Sequence, residues 1–132
     1  MRLRLWVPAP PDVPLLTLNT ARGRIHWQQW RKLTASWRQA ALEAASWELD
    51  GLEGLELPLN HRVLIEALPV QARRPLADAG AHTPTVKAIV DGLGDAGWLV
   101  ADDPVHVRGL LCWAPVHRKG RTGVVVYLTN LP

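Results

Sequence analysis

Between His26 and about Trp47, Trp30, Leu33, Trp37, Ala41 and Ala44 recur at spacings of three and four, while Gln28, Arg31, Lys32, Arg38, Gln39 and Glu43 fall mostly elsewhere. That period predicts a long amphipathic helix. A helix with one apolar stripe needs a second layer to bury it, so the rest of the chain must supply that layer. The stretch "RLRLWV" alternates charged and apolar residues with period two, as a half-buried strand does, and "PAPPDVP" ends it because proline cannot donate to a ladder.

Further along, "LDGLEGLELP" reads as a loop and "HRVLIEALPV" as a strand. The polar, small-residue run "QARRPLADAGAH" reads as a loop of the kind that carries functional groups on a rigid scaffold. Thr83 followed by Pro84 signals a helix start, with Thr83 as N-cap and proline where its missing N–H costs nothing. The helix is expected to run to about Ala96 and stop at Gly97, burying Val86, Ile89, Val90 and Leu93. Lys87, Asp91 and Asp95 then line another face at i, i+4 and i+8. The runs "VHVRGLLCWAPV" and "TGVVVYLTNL", joined by "HRKGR", are expected to form an antiparallel hairpin. The order β-α-β-α-β-β predicts an α+β fold: one domain over 1–132, a two-layer sandwich with a mixed sheet of about four strands and two main helices.

Composition narrows the setting. A chain of 132 residues, 48% apolar and 20% charged, is large enough for one core without disulfides or structural metal. The single Cys112 excludes an internal disulfide and a cysteine zinc cluster, and no apolar run is long enough to span a bilayer. The expectation is a cytoplasmic protein with no membrane partner. A net charge of +3 favours polyanionic partners mildly, and the bias is concentrated: residues 1–38 hold seven Arg or Lys and only Asp12. Arg22, Arg24, Arg31, Lys32 and Arg38, the Arg73–Arg74 pair, and Arg118, Lys119 and Arg121 offer three regions for phosphate contact, or simply a solvated surface. Trp27, Trp30, Trp37, Trp47, Trp98 and Trp113 are expected in the core, since the chain has no Phe, and Cys112 is expected to fill a strand.

Asp78 precedes the second predicted helix, and Asp102 and Asp103 follow it. Clustered carboxylates repel unless a hard cation neutralises them. Mg²⁺ is held by one or two carboxylates, with water and phosphate completing its shell. Lys87 would then face a scissile phosphate. The bland alternatives are a solvated "ADDP" turn and an ion pair from Lys87 to Asp91 on a wet helix face.

These residues resemble a family, the RusA-type Holliday junction resolvases, most closely the shorter phage and actinobacterial versions. The strongest likeness is "TPTVKAIVDGLGDAGWLVADD", with a Lys near the helix start, Asp-Gly-Leu four residues on, an Ala-Gly stop and paired Asp. A second is "PLLTLNTARGRIHWQQWRKLTASWRQAA", similar to the family's Asn-bearing loop, basic segment and first helix. The resemblance covers most of the chain. It implies a homodimeric endonuclease, dependent on Mg²⁺ or Mn²⁺, that cuts four-way DNA junctions symmetrically in recombination and repair.

On that likeness Asp78, Lys87 and Asp103 are the catalytic residues, with Asp78, Asp102 and Asp103 on the metal. Asp91 and Asn19 match recurrent supporting residues. The family loop reads Asp-x-Asp-Asn or Asp-Pro-Ala-Asn, whereas this chain has Asp78-Ala79-Gly80-Ala81, which lacks the second acid and the Asn; His82 stands in their place. The alternative is therefore a DNA-structure-binding protein of the same fold, weakened or inactive in catalysis.

Overall fold

The computed structural model describes residues 2–18, 26–49 and 62–131. Its elements follow the order β1 (Arg2–Pro8), α1 (Trp27–Leu49), β2 (Arg62–Gln71), α2 (Thr83–Asp95), β3 (Val107–Cys112), β4 (Val116–His117) and β5 (Gly123–Leu131). The five strands make one mixed sheet in the order β1-β5-β2-β3, with β4 also paired to β2. The α+β architecture is as expected.

The expected hairpin is a correction. β5 pairs antiparallel with β1 and β2, whereas β3 and β4 run parallel to β2 along its other edge. The basic turn at Gly120 therefore carries the chain across β2 instead of folding β5 back on β3. Both runs are apolar enough to occupy a sheet interior, and a local turn signal does not choose between the two edges of β2.

Alternation decides which sheet face meets the helices. Leu3, Leu5 and Val7 of β1, Val63, Ile65 and Ala67 of β2, and Val124, Val126 and Leu128 of β5 all join one buried cluster. Trp37, Ala41 and Ala45 of α1 enter the same cluster with Val86, Ile89, Val90 and Leu93 of α2, while Trp30, Leu33 and Ala44 pack at its margin. Each fully buried Leu, Ile or Val contributes about 1.5–3 kcal/mol. The Trp37 indole N–H donates to the Pro14 carbonyl at 2.9 Å, which ties α1 to the proline-rich segment after β1.

The tryptophans divide otherwise than expected. Trp37 and Trp98 are buried, but Trp27, Trp47 and Trp113 are 56%, 80% and 50% exposed. Trp27 and Trp47 lie near the two ends of α1. Cys112 is half-buried in β3, and burial pushes its thiol pKa up.

The two helices touch closely. A methyl group on Gly92 would lie 2.7 Å from Ala41 Cβ and would also strike the Arg38 carbonyl, so only glycine fits the crossing. Next to it the Arg38 guanidinium grips Asp95 with two bonds of 2.5 and 2.7 Å. The hydrogen bond from Arg38 holds the Asp95 carboxyl below the usual range.

Candidate functional site

α2 starts at Thr83 with Pro84 in its first turn, but Thr83 is not the N-cap. The cap position falls to His82, and the Thr83 hydroxyl donates back to the Gly80 carbonyl at 2.6 Å. The stop is as expected: Ala96 caps the helix and Gly97 takes a positive φ of 79°.

The residues before α2 are bound to the scaffold through their backbone. Gln71, the last residue of β2, accepts from Ala77 N–H at 3.0 Å and donates to the Pro75 carbonyl at 3.3 Å. Ala81 donates to the Asp78 carbonyl and accepts from Leu18 N–H, both at 3.1 Å. Gly80 has φ 81°, which only glycine holds without strain. The Ala79-Gly80-Ala81 segment is thus a tight turn that docks on the segment at Leu18, and Asp78 stands exposed at its start.

His82, the residue that follows this turn, is turned into the fold. It is buried, with Nδ1 3.1 Å from the Leu16 carbonyl and Nε2 3.5 Å from Gln71 Oε1, and burial lowers its pKa. Thr85 beside it both accepts from Leu16 N–H at 2.7 Å and donates to the Leu16 carbonyl at 3.0 Å. These two side chains lock the start of α2 to the segment after β1.

On the far side of α2, the Lys87 ammonium meets Asp102 Oδ2 at 3.2 Å, with the side chains 53% and 34% exposed. The i, i+4 pair to Asp91 is not formed; Asp91 lies half-exposed on the next turn. Asp103 caps the turn that enters β3. Its Oδ1 accepts from Val105 N–H and His106 N–H, each at 2.9 Å, and from His106 Nδ1 at 2.8 Å. These bonds, led by the His106 backbone N–H, hold the Asp103 carboxyl below its usual range.

The acids are therefore not all gathered. Asp78 is held near Gln71, and Asp103 is held near Val63 through the bond from Val63 N–H to the His106 carbonyl. Gln71 and Val63 stand eight residues apart on β2, about 26 Å of extended strand. The crossover between two parallel strands takes the chain from one end of the sheet to the other, so the backbone attachments of Asp78 and Asp103 lie toward opposite ends of β2, while Asp102 stands beside Lys87 on the second turn of α2. Among the described residues no group of three His, Cys, Asp or Glu stands close enough to hold a metal ion together. Mg²⁺ asks the protein for only one or two carboxylates, and Asp102 and Asp103, adjacent and open to solvent, suit that demand.

The basic residues also separate. Lys87 borders a groove of about 400 Å³ between the helices, lined in part by Trp30, Arg31, Arg38, Pro84 and Asp91. Lys32 is exposed further along α1, and Arg73 and Arg74 are exposed in the loop after β2. Arg118, Lys119 and Arg121 occupy the turn between β4 and β5, where the Arg121 guanidinium lies 4.4 Å over the Trp6 ring. Asn19, Arg22 and Arg24 lie outside the described residues.

Two features were not foreseen from the sequence. The partner of Lys87 is fifteen residues away and reached only through the return of the chain along α2. Arg2 and Arg4 escaped the count of basic regions, although the alternation of β1 already set them on the face opposite Leu3 and Leu5. No helix among the described residues is long and apolar enough to cross a membrane. No protein-family model matches the chain, and no curated protein matches it either.

Proposed function

We propose that this chain is a Mg²⁺-dependent endodeoxyribonuclease that resolves four-way DNA junctions, acting in the cytoplasm as a homodimer; Mn²⁺ is a second usable metal. The observation that supports this reading is the groove between α1 and α2, where Lys87 stands with Arg31 and Arg38 while its ammonium touches Asp102. Three cations along one groove suit a phosphate backbone. Arg38 is held by two bonds to Asp95, whereas Lys87 has one exposed contact to Asp102 that can be exchanged, so Arg31 and Lys87 are the cations that would meet it.

Asp102 and Asp103 would hold the metal, which when bound supplies a hydroxide nucleophile and stabilises the leaving oxygen. Lys87 has the charge to oppose the negative charge that develops on the scissile phosphate. Its pair with Asp102 is an exposed one worth at most about 1 kcal/mol, so an arriving phosphate can displace it. The hydrogen bonds to Asp103 Oδ1 fix the orientation of that carboxyl.

A second reading, a junction-binding protein without turnover, is favoured by the attachment of Asp78 and Asp103 toward opposite ends of β2. One assay distinguishes the two. A labelled four-way junction and a matched linear duplex are incubated with Mg²⁺, Mn²⁺ or EDTA, using wild type, Lys87→Ala and Asp103→Asn. The nuclease reading expects metal-dependent cutting of the junction that falls about 10²–10³-fold in Lys87→Ala, the size of a lost charge-stabilising donor. Tight junction binding with no cutting by wild type would establish the binder instead.

A further inference from the structure

The face of the sheet that the helices do not cover carries its own arrangement of charge. Alternation sets Arg2, Arg4 and Trp6 of β1 on that face, beside Glu66 of β2 and Val125 and Tyr127 of β5. Arg62, at the exposed start of β2, shares its parity. The turn after β4 adds Arg118 and Arg121. Two of the guanidiniums lie on rings: Arg2 is 4.0 Å over Tyr127 and Arg121 is 4.4 Å over Trp6. Trp6 itself lies across Gly123, where a methyl group would come within 2.5 Å of the indole. Glycine at 123 thus makes room for the ring on which Arg121 rests.

Together these residues bound a hollow of about 230 Å³, with Arg4, Arg118 and Arg121 around Trp6, Val125 and Tyr127. Its charge is one-sided. Glu66 pairs with Arg2 at 3.2 Å, and among the described residues no carboxylate pairs with Arg4, Arg62, Arg118 or Arg121.

We propose that this sheet face, opposite α1 and α2, is a second docking surface for DNA, which grips the phosphate backbone independently of the groove beside Lys87. A guanidinium stacked on an aromatic ring is oriented in advance and keeps N–H edges free for a phosphate. Several arginines spread over one face fit a polymer whose charges repeat at short intervals. A second copy of the chain would bring the same arginines against one another, and an apolar partner would have to bury them unpaired. The choice of DNA as the polyanion rests on the function proposed above. Binding on two opposite sides would let one protomer hold two duplex arms at once.

The test is fluorescence anisotropy of a labelled duplex in EDTA, so that it reports whether or not the chain cleaves DNA. Affinity is measured between about 50 and 200 mM salt for wild type, Arg4→Ala/Arg121→Ala and, as a milder variant, Arg118→Ala. Each lost phosphate contact lowers the slope of log affinity against log salt by about 0.9. The double variant is expected to lose close to two from that slope and to bind more weakly, and Arg118→Ala close to one. Unchanged slopes in folded variants would overturn the inference while leaving the nuclease reading intact. A change in sedimentation with DNA binding unaltered would also overturn it, in favour of a second copy as the occupant. Failure of wild type to bind DNA at all would remove both.

Discussion

His82 shows how one residue can look like a ligand in the sequence and serve the fold instead. It follows a degenerate acidic loop, where an imidazole would suit a metal, yet it sits inside the protein with Nδ1 3.1 Å from the Leu16 carbonyl. Burial disfavours its charged form and lowers its pKa, so the unfolded chain binds the extra proton more readily. The sign follows from linkage. Stability from His82 is complete above the unfolded value near 6.5 and declines as pH falls below it toward the lowered folded value. The urea midpoint of wild type should therefore drop as pH is taken from above to below 6.5, and His82→Gln should drop less steeply. Equal pH dependence in the two proteins would contradict the assignment. Asp103 adds a separate loss at lower pH, because its depressed carboxyl stabilises the fold above the usual carboxylate pKa and stops doing so as pH falls through the folded value.

At the scale of elements, α2 is held by its crossing with α1 as much as by its apolar stripe. Gly92 lets the backbones approach, and Gly92→Ala would press a methyl group into Arg38 and Ala41, with a loss of about 1–3 kcal/mol expected for overpacking. Equilibrium urea unfolding checks this, with Gly94→Ala as the comparison, since nothing lies within 4 Å of a methyl group there. A Gly92→Ala protein as stable as the Gly94→Ala protein would show that the helices separate freely.

This element was also the most legible one. Thr83-Pro84 and Gly97 bracket it, and Val86, Ile89, Val90 and Leu93 are buried as their spacing predicts. Such signals are local and reach the reader through neighbouring residues. What depends on pairing between distant segments was not legible in the same way. "TGVVVYLTNL" shows that it is a strand but not that it lies between β1 and β2, and Lys87 carries no local sign that its partner is Asp102 and not Asp91. For the same reason the three acids looked able to meet. Only the parallel pairing of β2 with β3 shows that Asp78 and Asp103 are held near opposite ends of one strand.

For the whole molecule, the two-layer arrangement gives the chain two unlike sides. The side with α1 and α2 presents the groove with Lys87, Arg31 and Arg38, and the opposite face of the sheet presents stacked arginines. On the proposed function, these two sides would hold arms of a branched substrate that leave in different directions. Symmetric cutting also calls for two sites related by a two-fold axis, which a homodimer supplies. The most direct measurement is to label each strand of a four-way junction in turn and map the nicks made by wild type in Mg²⁺. Paired nicks at matching positions in two opposite strands, with the linear duplex left whole, are the predicted result. An intact junction under saturating protein, or equal nicking of junction and duplex, would contradict the account.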